Sequence, residues 1–271
     1  MQQHHVVTVR GAGSAVAALA LALLVGGCGS EPSAAAPTPA STGGAVSQSA
    51  PTTIPPTTPV HSGTSAPAPR STTAATGCAP TGAGVPAGAS SKPIIDVDGD
   101  GRADVGWING GVNFGITTAS GATFSIPMEL AGGGPRSVLV VNPDEQGNIA
   151  ALASDERTVE LLLVRNCELL PAKNAEGTNY EFDLGLRGNG TGVGCSQVAG
   201  TPGRSLVGLN LHLDGAGQPV GIQRTQIVLN GTNARNGASD TVAPTPAAVQ
   251  TGREITCDDL TLRRDGVLER P

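Results

Sequence analysis

From Lys92 onward, apolar and polar residues alternate with a period of two, the spacing of strands whose successive side chains point to opposite faces. Val112, Phe114 and Ile116 share one face, Asn113 and Gly115 the other, and Asn109-Gly110 just before them is a two-residue hairpin signal. The pattern predicts strands at about 104–108, 112–117 and 123–126. A second unit is predicted from Ser137–Val141 and Ile149–Ala153, followed by the apolar run Val159–Val164, which reads as a buried strand ending near Cys167. A third runs from Ser205 to Leu213, turns at Asp214-Gly215-Ala216-Gly217 and continues from Val220 to Leu229. After a turn at Asn230-Gly231, residues 233–252 read as a polar, Pro-containing loop, ahead of a strand Ile255–Leu262 and a hairpin signal at Asp265-Gly266. A small meander cannot bury its apolar face alone, so these units are expected to stack.

Upstream of Lys92 this alternation is absent. Residues 1–27 form a leader with Arg10 as its only charge and an apolar run from Ala15 to Val25. Val25-Gly26-Gly27-Cys28 resembles a bacterial lipobox, which implies cleavage before Cys28 and a lipid on its thiol. The implied location is the extracytoplasmic face of a membrane, held by buried acyl methylenes worth about 0.8 kcal/mol each. Residues 28–90 are mostly Ala, Pro, Ser, Thr and Gly with almost no large apolar side chain. Such a segment buries too little to offset its ordering entropy and is expected to be a disordered stalk before a folded domain at 91–271.

Between stalk and first meander stands Asp96-Val97-Asp98-Gly99-Asp100-Gly101-Arg102-Ala103-Asp104. The side chains of Asp96, Asp98, Asp100 and Asp104 and the carbonyl of Arg102 can converge on one cation, with Gly101 permitting the turn at position six. Hard oxygen donors favour Ca²⁺ over transition metals, and four carboxylates in one loop repel one another unless a cation offsets them. Trp107 stands where an EF-hand needs a bidentate Glu, and the flanks read as strand. The pattern D-x-D-x-D-G-x-x-D, with Val112-Asn113-Phe114-Gly115-Ile116 and Ser120-Gly121-Ala122-Thr123-Phe124 after it, resembles the FG-GAP or VCBS repeat family over residues 92–128. The resemblance implies an all-β domain of FG-GAP-like meander units, an incomplete or small propeller-like structure in which calcium stiffens a loop. It also implies an unknown surface or matrix protein as partner.

Decayed copies of the loop follow. Asn142, Asp144 and Gln146 match its first three positions but Ala150 the fourth, and His212, Asp214, Ala216 and Val220 leave a single carboxylate, so neither is expected to hold calcium. The Asn-Gly dipeptides of the sequons at Asn189 and Asn230 read as turns. Cys78, Cys167, Cys195 and Cys257 remain after Cys28, an even number that suggests two disulfides. Of the three possible pairings the favoured one joins Cys167 to Cys195 and Cys78 to Cys257, the latter tying the start of the domain to its last strand. Zinc is disfavoured, because no C-x-x-C occurs and His212 is the one histidine of the expected domain.

A net charge of −6 argues against nucleic acid as a partner, and 2% aromatic content leaves few stacking platforms for sugars or bases. There is no Gly-rich phosphate loop, no G-x-S-x-G and no H-E-x-x-H. The expectation is a non-catalytic binding or envelope-associated lipoprotein; the alternative is a secreted hydrolase using carboxylates far apart in sequence.

Overall fold

The computed structural model describes residues 77–270; the leader, Cys28 and stalk residues 28–76 lie outside the described residues. Three antiparallel meanders dominate. The first comprises β1 (Ser90–Ile94), β2 (Asp104–Asn109), β3 (Asn113–Thr117) and β4 (Thr123–Pro127), paired in sequence order. The second comprises β5 (Ser137–Val141), β6 (Ala150–Ser154), β7 (Thr158–Arg165) and β8 (Glu168–Pro171), with the short β9 (Glu181–Asp183) also paired to β7. The third comprises β10 (Gly192–Gln197), β11 (Arg204–Leu213), β12 (Pro219–Asn230) and β13 (Asn233–Val242). Helix α1 (Pro246–Thr251), the ribbon β14 (Thr256–Cys257) with β15 (Leu260–Thr261), helix α2 (Leu262–Asp265) and β16 (Val267–Leu268) follow, and β16 joins the second sheet beside β5. The fold is all-β, and among the described residues no sheet closes on itself.

The second sheet is buried on both faces, which explains why β5, β6 and β7 are almost continuously apolar rather than alternating. Val138, Val140, Ala151, Ala153 and Leu162 face one way, onto Ile108, Phe114 and Ile116 of the first sheet. Leu139, Leu152, Val159, Leu161 and Leu163 face the other way, onto Val193, Leu206 and Ile227 of the third. Three sheets therefore stack through two cores. The far face of the third sheet carries Val207, Leu209, Leu211 and Ile222, covered partly by Ala248 and Val249 of α1.

The first sheet is built as expected. Asn109-Gly110 lies at the β2–β3 turn, where Gly110 and Gly111 take φ of 59° and 65°. Trp107 lies across Gly115, where a Cβ would come within 2.1 Å of its ring; only glycine fits there. Residues 77–90, assigned to the stalk on composition, are instead folded against this sheet: the Thr81 N–H donates to the Gly121 carbonyl at 3.1 Å, and Cys78 is buried.

Downstream, the pattern misled in three places. The 233–252 segment is not a loop but β13 and α1; β13 reads as polar because it is an edge strand, so its side chains face solvent or pair locally, as in the Arg224–Asp240 ion pair. The expected strand 255–262 breaks into the two-residue β14 and β15 around Asp258, whose φ is 53°, and Asp265-Gly266 ends α2 rather than forming a hairpin. The third unit is also out of step. The Asp loop follows the first strand of the first meander and the Asn142–Asn148 loop the first strand of the second, whereas the Asp214 turn joins the second and third strands of its sheet.

The expected disulfide pairing is overturned. Cys78 pairs with Cys167 and Cys195 with Cys257, with Cα separations of 5.8 and 4.9 Å. Cys167 stands at the β7–β8 turn, where Asn166 and Cys167 both adopt positive φ (50° and 63°), and this tip reaches the segment folded on the first sheet. Cys195 lies on β10 and Cys257 on β14, elements brought side by side by the Val193–Ile255 bridge.

Candidate metal centre

The loop between β1 and β2 is closed by its own carboxylates. Asp96 accepts the Gly99 N–H at 2.7 Å on Oδ1 and the Gly101 N–H at 2.8 Å on Oδ2. Gly101 has a φ of 84°, the left-handed backbone that position six requires. Asp104 opens β2 and is buried; its Oδ2 takes the Val97 N–H and its Oδ1 the Ala119 N–H, both at 2.7 Å. Asp98 accepts the Asp100 N–H on Oδ1 at 3.3 Å, and on Oδ2 the Cys78 N–H at 2.8 Å and the Ser120 hydroxyl at 2.7 Å.

Asp96, Asp98 and Asp104 converge: each presents one oxygen, and the three lie within 4.8 Å of one another. Asp100 lies outside this group, with its Oδ1 accepting the Arg102 N–H at 2.8 Å. The exposed Arg102 directs its guanidinium to the Ala119 carbonyl at 2.7 Å, which ties the loop to the β3–β4 turn. Burial pushes the Asp104 carboxyl above its ordinary pKa, and the neighbouring Asp98 and Asp96 charges push the same way against the two backbone N–H groups. Asp98 is also raised by burial, but the Cys78 N–H, the Ser120 hydroxyl and the Asp100 N–H outweigh that and hold it below the usual carboxylate range.

The donor set fits a hard cation. Oxygens that close together leave room for an ion making Ca²⁺–O contacts of about 2.3–2.6 Å, and the mutual repulsion at Asp104 is what such an ion would relieve. Sequence reasoning missed the support from outside the loop. Cys78, Ser120 and Ala119 lie 15 to 22 residues from the carboxylates they contact, and nothing local in the sequence points to them.

The other loops behave as turns. Asp144 Oδ1 accepts the Gln146 and Asn148 N–H groups at 2.9 and 3.4 Å, and Asn148 in turn accepts from the Arg165 guanidinium at 2.8 Å. Asp214 Oδ1 takes the Ala216 and Gln218 N–H groups, and His212 is exposed on β11. Two carboxylates distant in sequence do meet elsewhere: the Asn179 side-chain amide donates to Glu160 at 2.7 Å and to Glu129 at 3.0 Å. Glu160 is only 1% exposed, and burial raises its pKa above the ordinary value.

No protein-family model matches the chain, and neither a curated protein nor a solved structure does.

Proposed function

We propose that the chain is an exported, lipid-anchored protein whose β domain is stiffened by one Ca²⁺ and serves as a non-catalytic binding or envelope-associated module. The observation that carries this reading is the convergence of Asp96, Asp98 and Asp104 between two strands of one antiparallel sheet. The resemblance to FG-GAP repeats supports it, as do three antiparallel sheets, of four, six and four strands, stacked face to face, an arrangement compatible with an incomplete propeller. Anchoring rests on the lipobox-like Val25-Gly26-Gly27-Cys28, and protein recognition rests on the family resemblance. Bound calcium would supply charge neutralisation and a rigid β1–β2 connection. The chain's own part is to hold three carboxylates in place with backbone N–H groups and the Ser120 hydroxyl.

Calorimetric titration of the purified chain with Ca²⁺ tests this. We expect saturable binding of about one ion with a Kd of about 10⁻⁴ to 10⁻³ M, a raised Tm, and loss of both in Asp98→Ala. Absence of binding in the native chain would leave the loop as an Asp/Gly turn and remove calcium from the proposal.

A further inference from the structure

The two disulfides differ in what surrounds their sulfurs. Cys257 is 1% exposed, and the Arg204 guanidinium donates from Nη2 to its Sγ at 3.0 Å. Cys195, its partner, is only partly buried. Arg204 is shared: Nη1 meets Glu145 Oε1 and Nη2 meets Asp258 Oδ2, each at 2.5 Å, while its Nε is buried with no hydrogen-bond partner. A cationic donor held on one sulfur stabilises that sulfur as a thiolate, and a disulfide breaks faster when its leaving thiolate is stabilised. Cys78–Cys167 offers the opposite setting. There Cys167 is exposed, and the buried Cys78 meets the Asp98 carboxylate through its backbone N–H, without the guanidinium that Cys257 has at its sulfur.

We propose that Cys195–Cys257 is a site of thiol–disulfide exchange with dithiols, in which Cys195 is the sulfur attacked and Arg204 stabilises the departing Cys257. The incoming thiolate forms a bond to Cys195 Sγ; the Cys195–Cys257 bond breaks, and its electron pair leaves on Cys257 Sγ. The second thiol of the reagent then attacks the reagent's own sulfur in the mixed disulfide and releases Cys195. The dithiol is oxidised to a disulfide, the protein disulfide is reduced by two electrons, and the two thiol protons pass to the protein sulfurs or to solvent. Glu145 and Asp258 offset part of the guanidinium charge and so hold the exchange back. Opening the bond removes the covalent tie between β14 and β10 and leaves the Val193–Ile255 bridge and the core packing of Ile255, Leu260 and Leu262 to hold them together.

The test is exchange of the native full chain with dithiothreitol, quenched by alkylation and mapped by mass spectrometry, together with trapping by glutathione. We expect the glutathione adduct on Cys195. We also expect Arg204→Gln to slow opening of Cys195–Cys257 by ~3- to 10-fold and Asp258→Asn, which keeps the side-chain shape, to speed it. Opening of Cys78–Cys167 serves as the internal control and should be the same in all three proteins. An adduct on Cys257, or an Asp258→Asn protein that opens no faster than the native chain, overturns the proposal.

Discussion

At the scale of single residues, the most heavily bonded carboxylate among the described residues lies away from the candidate metal centre. Asp155 is fully buried at the β6–β7 turn; its Oδ1 accepts the Arg157 and Thr158 N–H groups at 2.9 and 2.7 Å, its Oδ2 accepts the Gly132 N–H, and Arg136 stands 3.6 Å away. Burial alone would raise its pKa, but the N–H groups of Thr158, Arg157 and Gly132 and the Thr158 hydroxyl outweigh it, so the folded value lies below the ordinary one. A carboxyl depressed by folding adds stability that is fully present above the unfolded pKa, about 3.9, and is lost as pH falls through the folded value. Asparagine keeps the shape but replaces one acceptor oxygen with a donor. We therefore expect Asp155→Asn to lose about 1–3 kcal/mol at pH 7, with the gap from the native chain closing below about pH 4 in urea melts run across pH. A constant gap at every pH would assign the loss to packing instead. The same scale shows why the candidate metal centre was legible in sequence: its converging carboxylates lie within nine residues, so local spacing alone nominates them. The Ser120 hydroxyl and Cys78 N–H that orient Asp98 come from other parts of the chain, and no spacing rule reaches them.

At the scale of elements, what could be read was what burial writes into the chain. Strands β2, β3, β5, β6, β7, β11 and β12 each carry apolar side chains onto a core and were visible as alternation or as apolar runs. Strand β13 was not, because an edge strand paired on one side needs no apolar face; nor was β10, whose Gly192, Gly194 and Ser196 dilute its pattern. The disulfides failed for a related reason, since pairing depends on which turns and ribbons meet after the sheets have stacked. The run Val159–Val164 is buried from both sides, which its unbroken apolar character alone does not distinguish: Leu161 points into one core and Leu162 into the other. Leu161→Ala and Leu162→Ala are each expected to cost about 2–5 kcal/mol in urea unfolding, through lost transfer energy plus the cavity left behind. A strand with one solvent face would show that loss at only one of the two positions, so a large difference between them would contradict the central placement of the second sheet.

At the scale of the whole molecule, the first and last strands of the described residues are drawn to the same place. Val267 and Leu268 of β16 pair with Val138 and Ser137 of β5, so the last strand completes a sheet begun some 130 residues earlier. Beyond it the Glu269 N–H donates to the Arg136 carbonyl at 2.8 Å, and the Arg270 N–H donates to the Ser90 hydroxyl at 3.0 Å at the start of β1. Val267 itself is 1% exposed and lies in the core between the first and second sheets. This closure implies that the stack unfolds as one unit. Val267→Asp places a carboxylate without a partner in that core, and we expect it to cost at least about 3 kcal/mol. Trp107 is the chain's single tryptophan and belongs to the first sheet, so its fluorescence follows that sheet, whereas far-UV circular dichroism follows all three. With the disulfides oxidised, the two signals should give coincident transitions in the native chain and shift together in Val267→Asp. If the tryptophan signal alone moved, the first sheet would be melting separately from the other two. The C-terminal strand would then be a local clasp on the first sheet, and the three meanders would not form one cooperative stack.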